Sequence, residues 1–186
     1  MGQEIHNIHE ELINRSRLGD SSAQYKLYSL YSKAMYNVCV RITNDVEDAQ
    51  DVLQEAFISA FRNLEAYRGD ATFGAWLKRI VINKALNHLN KKRIDVETYD
   101  DSYDILDEIE QDYSTEVTLT VNKIKKALKQ LPDGYRLVFS LYVMEGYDHG
   151  EIAQVLGITE STSKSQLNRA KKKLKELVER EEIYEE

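Results

Sequence analysis

Between residues 49 and 64, Ala49, Val52, Leu53, Ala56, Phe57, Ala60, Phe61 and Leu64 return at steps of three and four, the period of one buried helix face. Similar spacing runs through most of the chain. Ile5 to Leu18 reads as a short first helix, stopped by Gly19-Asp20, with Ser21 or Ser22 as cap of the next. That next helix carries Tyr25, Leu27, Tyr28, Leu30, Tyr31, Met35, Val38, Cys39 and Ile42 and ends at the Asn44-Asp45 turn. Another follows "RGDAT" and spans about Phe73 to Lys91. Farther on, Thr118 to Leu131 is amphipathic, Pro132 opens a new helix, and Gly134 to Glu145 closes on Gly146 as a left-handed cap. Asp148 caps a short helix through Leu156, Gly157 breaks it, and a lysine-rich helix starts near Glu160. No stretch alternates with period two, so the predicted fold class is all-α. Eight glycines and one proline in 186 residues agree with long helices and few turns.

Charge divides this helical pattern into parts. The formal net charge is −7, but residues 1–94 carry 13 Lys/Arg against 11 Asp/Glu, and residues 119–180 carry 12 against 7. Residues 95–118 hold 10 acids and no Lys or Arg. The stretch "DVETYDDSYDILDEIEQDYSTE" has no sustained helical period, and its like charges repel in a compact state, so it reads as a flexible acidic linker. The predicted organisation is a helical domain over 1–94, a linker over 95–116 and a second helical domain over 117–186. With no long apolar run and no signal-peptide core near Met1, the chain is expected in the cytoplasm, without membrane insertion. Its single cysteine, Cys39, excludes an internal disulfide, fits a reducing compartment and reads as a core residue.

"HGEIAQVLGITESTSKSQLNRAKKKL" has the grammar of a helix-turn-helix. Ile152, Ala153, Val155 and Leu156 supply the apolar face of its first helix. Gly157 permits the turn, Ile158 plugs the angle, and Thr159 or Ser161 caps the second helix. At about 100° per residue, Leu167, Ala170, Leu174, Leu177 and Val178 gather on one side of that second helix. Ser161, Ser165, Asn168, Arg169 and Lys172 gather on the other, flanked by Lys164 and Lys171. Small and amide side chains beside cations suit a major groove: cations neutralise phosphate and read guanine, and Asn pairs with adenine. Taken alone, this segment also fits a dimeric stand-alone regulator.

"FGAWLKRIVINKALNHLNKKR" changes character midway. Phe73, Trp76, Leu77 and Ile80 form an apolar stripe, with Trp76 read as core. Roughly the same side then presents Asn83, Lys84, Asn87, Asn90 and Lys91, while the apolar side rotates to Ile82, Ala85, Leu86 and Leu89. Asn side chains read an unstacked base and lysines hold the backbone, so the strip suits nucleic acid; a hydrated surface is the alternative. Tyr67 and Arg68, just before, offer an aromatic platform and a phosphate contact. On the helix of residues 49–64, the side away from the core shows Asp51, Glu55, Ile58 and Arg62, with Gln54 nearby. An apolar Ile58 among acids suggests a protein-binding face, although a lone exposed isoleucine is common.

Catalysis is not expected. The sequence has no phosphate-cradling glycine loop, no HExxH and no CxxC pair. His6 and His9 share a helical face but nothing completes a metal site with them, and His88 and His149 read as isolated. No cofactor and no metal is expected.

The segment "DVEDAQDVLQEAFISAFRNLEAYRGDATFGAWLKRIVINKALNHLNKKR" resembles the second conserved region of extracytoplasmic-function (ECF) sigma factors, the small promoter-recognition subunits of bacterial RNA polymerase. "LPDGYRLVFSLYVMEGYDHGEIAQVLGITESTSKSQLNRAKKKLKEL" resembles their fourth region. Both stand in the family's order across a variable linker. The resemblance implies that Asp51, Gln54, Glu55 and Ile58 dock on the polymerase core, and that Tyr67, Arg68, Asn83, Lys84, Asn87 and Arg93 serve the minus-ten element. It implies that Ser161, Lys164, Ser165, Asn168, Arg169 and Lys172 serve the minus-thirty-five element. Expected partners are core polymerase, promoter DNA and an anti-sigma protein. Family members often carry Arg where this chain has Lys164 and Gln166, so the promoter sequence does not carry over. A stand-alone regulator would leave the first block's Asn/Lys strip unexplained, and a protein-only adaptor would leave the cationic helix unexplained. The surplus acid of linker and tail further predicts poor promoter binding by the free chain.

Overall fold

A computed structural model describes residues 9–96 and 116–184, with side chains over 9–92 and 122–180. The described residues are helical, without strands. The chain divides into two units, Met1–Asp95 and Val96–Glu186. The expected linker lies almost wholly outside the described residues.

The first unit holds α1 (Glu10–Arg17), α2 (Ser21–Thr43), α3 (Val46–Arg62) and α4 (Phe73–Val96). Each junction has a local cause. Asp20 caps α2, accepting from the Ser22 and Ala23 amides, so the cap sits one residue before the serines the sequence suggested. Its carboxylate also takes two hydrogen bonds from Arg15, and that guanidinium first, then the capping amides, holds the acid below its ordinary pKa. Asn44 ends α2 in the left-handed region at φ 57°, and Asp45 caps α3 by accepting from the Asp48 amide. α4 runs five residues beyond the expected Lys91, because no Gly or Pro lies between Lys91 and Val96 to stop it.

α2 packs on α1 and α3. Leu27, Cys39, Ile42, Val52, Phe57 and Leu77 are among the buried core. Each such side chain contributes roughly 1.5–3 kcal/mol by leaving water. Not all of the apolar pattern turns inward: Tyr25 and Leu30 of α2 are exposed.

In the second unit, α5 (Glu116–Lys129) leads through Pro132 to α6 (Asp133–Phe139). A π-helical turn, Ser140–Met144, replaces the continuous helix expected to Glu145. Gly146 then takes φ 78°. Next come α7 (His149–Leu156) and the long α8 (Glu160–Tyr184). α8 packs against α5, α6 and α7. The approach to α6 is close: a Cβ on Gly134 would stand 3.3 Å from the Gln166 side-chain oxygen.

Candidate nucleic-acid and protein interfaces

The turn between α7 and α8 is built as helix grammar dictates. Asp148 and Glu151 form a reciprocal capping box at the start of α7. Gly157 ends α7 at φ 65°, a conformation that would strain any side chain bearing a Cβ. Thr159 caps α8, its hydroxyl accepting from the Thr162 amide at 3.1 Å. Ile152 is buried, while Ala153, Val155, Leu156 and Ile158 are half-buried.

α8 then separates into two faces. Leu167 and Ala170 are buried, and Leu174, Leu177 and Val178 are half-buried. Ser161, Lys164, Ser165, Asn168, Arg169 and Lys172 are all exposed. The structure brings these six together along one face. Lys164 also reaches Glu160 at 3.5 Å, an exposed pair of small energetic weight. Sequence reasoning missed Ser163, which is fully buried and shares a 2.9 Å hydrogen bond with His149. His149, read as isolated, therefore ties α7 to α8, with Tyr142 stacked on its ring. A small polar residue just past the capping candidates Thr159 and Ser161 gave no sign of this burial.

In the first unit the expected sites meet along neighbouring helices. Asn83 and Asn87 are exposed on α4, and Lys84 is half-buried beside them. Arg68 is exposed before α4, and the Arg93 side chain lies outside the described residues. Asp51, Gln54, Glu55 and Ile58 are exposed on α3.

Tyr67 departs from its expected place. It is only 4% exposed, its hydroxyl donates to the Ala71 carbonyl at 2.7 Å, and its ring packs against Phe73 and Trp76. The Arg17 guanidinium lies over the same ring, 5.9 Å from its centre. Tyr67 belongs to an aromatic cluster, where packing satisfies both ring and hydroxyl, and no face remains for a base to stack on.

The α3 and α4 strips touch. Lys92 donates to Asp48 Oδ2 at 2.8 Å, and Lys84 stands 3.7 Å from Glu55. His88 Nε2 lies 3.1 Å from Asp48 Oδ1, at a poor angle for a ring N–H donor. Asp48, Glu55, His88 and Lys92, together with Asp51, Gln54 and Lys91, line an open cleft. Burial pushes the Asp48 carboxyl up, but Lys92 and then His88 outweigh it and hold the acid below its ordinary value. Asp48 was not singled out from the sequence and His88 was read as isolated; their 40-residue separation hid the pairing. Among the described residues, no group of three or more His, Cys, Asp or Glu is arranged to hold a metal ion.

Comparison with known proteins decides the family. Residues 27–94 match "Sigma-70 region 2" and residues 122–174 match "Sigma-70, region 4". The RNA polymerase sigma-H factor of Pseudomonas aeruginosa is 33% identical over 175 residues, covering 87% of this chain and 89% of that protein. The chain belongs to the ECF sigma factors. The ECF RNA polymerase sigma factor SigM of Mycobacterium tuberculosis is 31% identical over 169 residues, covering 90% of this chain and 83% of that one. Two solved structures share the fold of this ECF sigma factor. Sigma factor RpoE in complex with the anti-sigma factor NepR from Bartonella quintana has a TM-score of 0.61 at 21% identity, over 83% of this chain and 96% of that one. CnrH in complex with the cytosolic domain of CnrY has a TM-score of 0.51 at 24% identity, over 91% and 96%. As an RNA polymerase sigma factor, the chain directs polymerase in transcription initiation.

Proposed function

We propose a division of labour within this sigma factor. The first domain, residues 1–94, docks on core polymerase through Asp51, Gln54, Glu55 and Ile58 of α3. It engages the minus-ten element through Arg68, Asn83, Lys84, Asn87 and Arg93. The second domain, residues 117–186, lays α8 in the major groove of the minus-thirty-five element through Ser161, Lys164, Ser165, Asn168, Arg169 and Lys172. Residues 95–116 tether the two.

The observation that carries this reading is the two-faced α8. Its six candidate contact residues are exposed together, while Leu167 and Ala170 opposite them are buried. Phosphate contacts from Lys164 and Lys172 set position, and Asn168 and Arg169 carry the chemistry of base readout. The exposed Asn83 and Asn87 supply the corresponding amides for an unstacked strand. The protein works by binding and positioning; catalysis belongs to the polymerase. It does so in the cytoplasm. Among the described residues no helix is long and apolar enough to cross a membrane.

An anti-sigma protein is the expected restraint on this activity. Support comes from the two structural relatives, each of which is held by a partner: RpoE by the anti-sigma factor NepR, and CnrH by the cytosolic domain of CnrY.

The test is run-off transcription from a genomic fragment library with purified core polymerase. Initiation at defined start sites requires both core and this chain. Charge reversal at Lys164 and Arg169 abolishes it, whereas a protein-only adaptor would keep its activity.

A further inference from the structure

Lys84 and Lys92 of α4 face carboxylates as well as solvent. Lys92 Nζ is hydrogen-bonded to Asp48 at 2.8 Å, and Asp48 has a side chain only 17% exposed. Lys84 Nζ is 3.7 Å from Glu55. Both carboxylates come from α3, the helix proposed to dock on polymerase; both cations come from α4, the helix proposed to hold a DNA strand. A phosphate and a carboxylate compete for the same ammonium group, because each is an anion accepting the same N–H donors.

We propose that Asp48 and Glu55 are built-in counter-charges that occupy Lys92 and Lys84 in the free protein, and that a cationic protein surface binding α3 draws the carboxylates away and frees both lysines for DNA phosphates. The inference rests on reading α4 as a DNA-contacting helix. It makes Asp48 and Glu55 positioning residues: they touch no nucleic acid, but set when the lysines do. It gives a local reason for the free chain to bind DNA poorly, separate from the acid of the linker. The two pairs differ in strength. Asp48–Lys92 is short and largely shielded from solvent, whereas Glu55, at 67% exposure, forms a long, screened pair. Asp48 is therefore the larger contributor.

The experiment measures fluorescence anisotropy of the full-length chain on a labelled, random-sequence, single-stranded 30-nucleotide DNA, between 50 and 200 mM salt. D48N/E55Q binds roughly three- to tenfold more tightly at low salt. Its log–log salt dependence is steeper by about 0.7 for each lysine newly on phosphate, up to about 1.4. E47Q removes a charge one residue from Asp48, on an exposed side chain, and changes affinity less than twofold. In the background K84Q/K92Q, adding D48N/E55Q restores nothing, because the freed groups are gone. Wild-type affinity for D48N/E55Q overturns the inference. So does a gain that persists without the lysines, which would be bulk electrostatics. Should D48N weaken the fold, E55Q alone carries the test through Lys84 with a smaller gain. Run-off transcription separates this inference from the reading beneath it. Full initiation by K84Q/K92Q removes the two lysines from promoter contact: the counter-charge inference falls with the Lys84 contact, and the reading of Asn83 and Asn87 is left to their own variants. Impaired initiation by K84Q/K92Q, with DNA affinity unmoved in D48N/E55Q, leaves the DNA reading standing and sinks only the counter-charge.

Discussion

His149 Nδ1 and Ser163 Oγ share a 2.9 Å hydrogen bond that joins the first turn of α7 to the first turn of α8. Ser163 is fully buried, and Tyr142 stacks on the imidazole with ring centres 4.6 Å apart. The bond fixes the angle at which α8 leaves the turn, and so the direction of the face carrying Lys164, Asn168 and Arg169. Ser163→Ala leaves the His149 nitrogen without that partner and costs about 1 kcal/mol. Hydrogen exchange at the Leu167 and Ala170 amides of the full chain reads this directly. Protection there falls about fivefold, as about 1 kcal/mol implies. Unchanged protection would show that the bond does not hold α8.

Cys39 is fully buried, and burial pushes its thiol up to about 12. At pH 8 the thiolate fraction is on the order of 10⁻⁴, and only the thiolate is an effective nucleophile. The native chain therefore resists iodoacetamide, and the unfolded chain gains one adduct by mass. Rapid native alkylation would contradict the packing of α2.

Asp48 makes the first unit acid-sensitive. Burial raises its pKa, but Lys92 and His88 more than offset that, leaving it depressed in the folded state. A depressed carboxyl contributes stability above its unfolded value, about 3.9, and loses it as pH falls through the lower folded value. Wild type should therefore exceed Asp48→Asn in denaturant midpoint at pH 7, and the gap should close as the pH falls below about 4. Trp76, the single tryptophan, reports from this unit by fluorescence. A gap that stays constant down to pH 2 would assign the effect of the substitution to something other than the ion pair.

Much of this was legible from residue order, for definable reasons. Helix stops at Gly19, Asn44, Gly146 and Gly157 are local events, set by backbone conformations that few residues adopt. The two-faced α8 is also local, because one period places every residue. What escaped were relationships across the sequence. Tyr67 looks like an exposed ring in a polar turn until Phe73, Trp76 and Arg17 enclose it. Asp48 and Lys92 are 44 positions apart, and nothing in either neighbourhood marks the other. The π-helical turn at Ser140–Met144 was likewise hidden, since its apolar residues continue a helical run. It leaves Tyr142, Val143 and Met144 exposed together.

Start-site-specific transcription by the chain with core polymerase, comparing wild type with Asn83→Ala and Arg169→Ala, tests the central claim most directly. Loss of one good base contact costs about 1–3 kcal/mol, so each variant should initiate roughly tenfold to a hundredfold less while keeping its helical content. The Arg169 defect should concern only the minus-thirty-five element, and the Asn83 defect only the minus-ten element. Full initiation by both variants would contradict the assignment of α4 and α8 as the two promoter-reading helices.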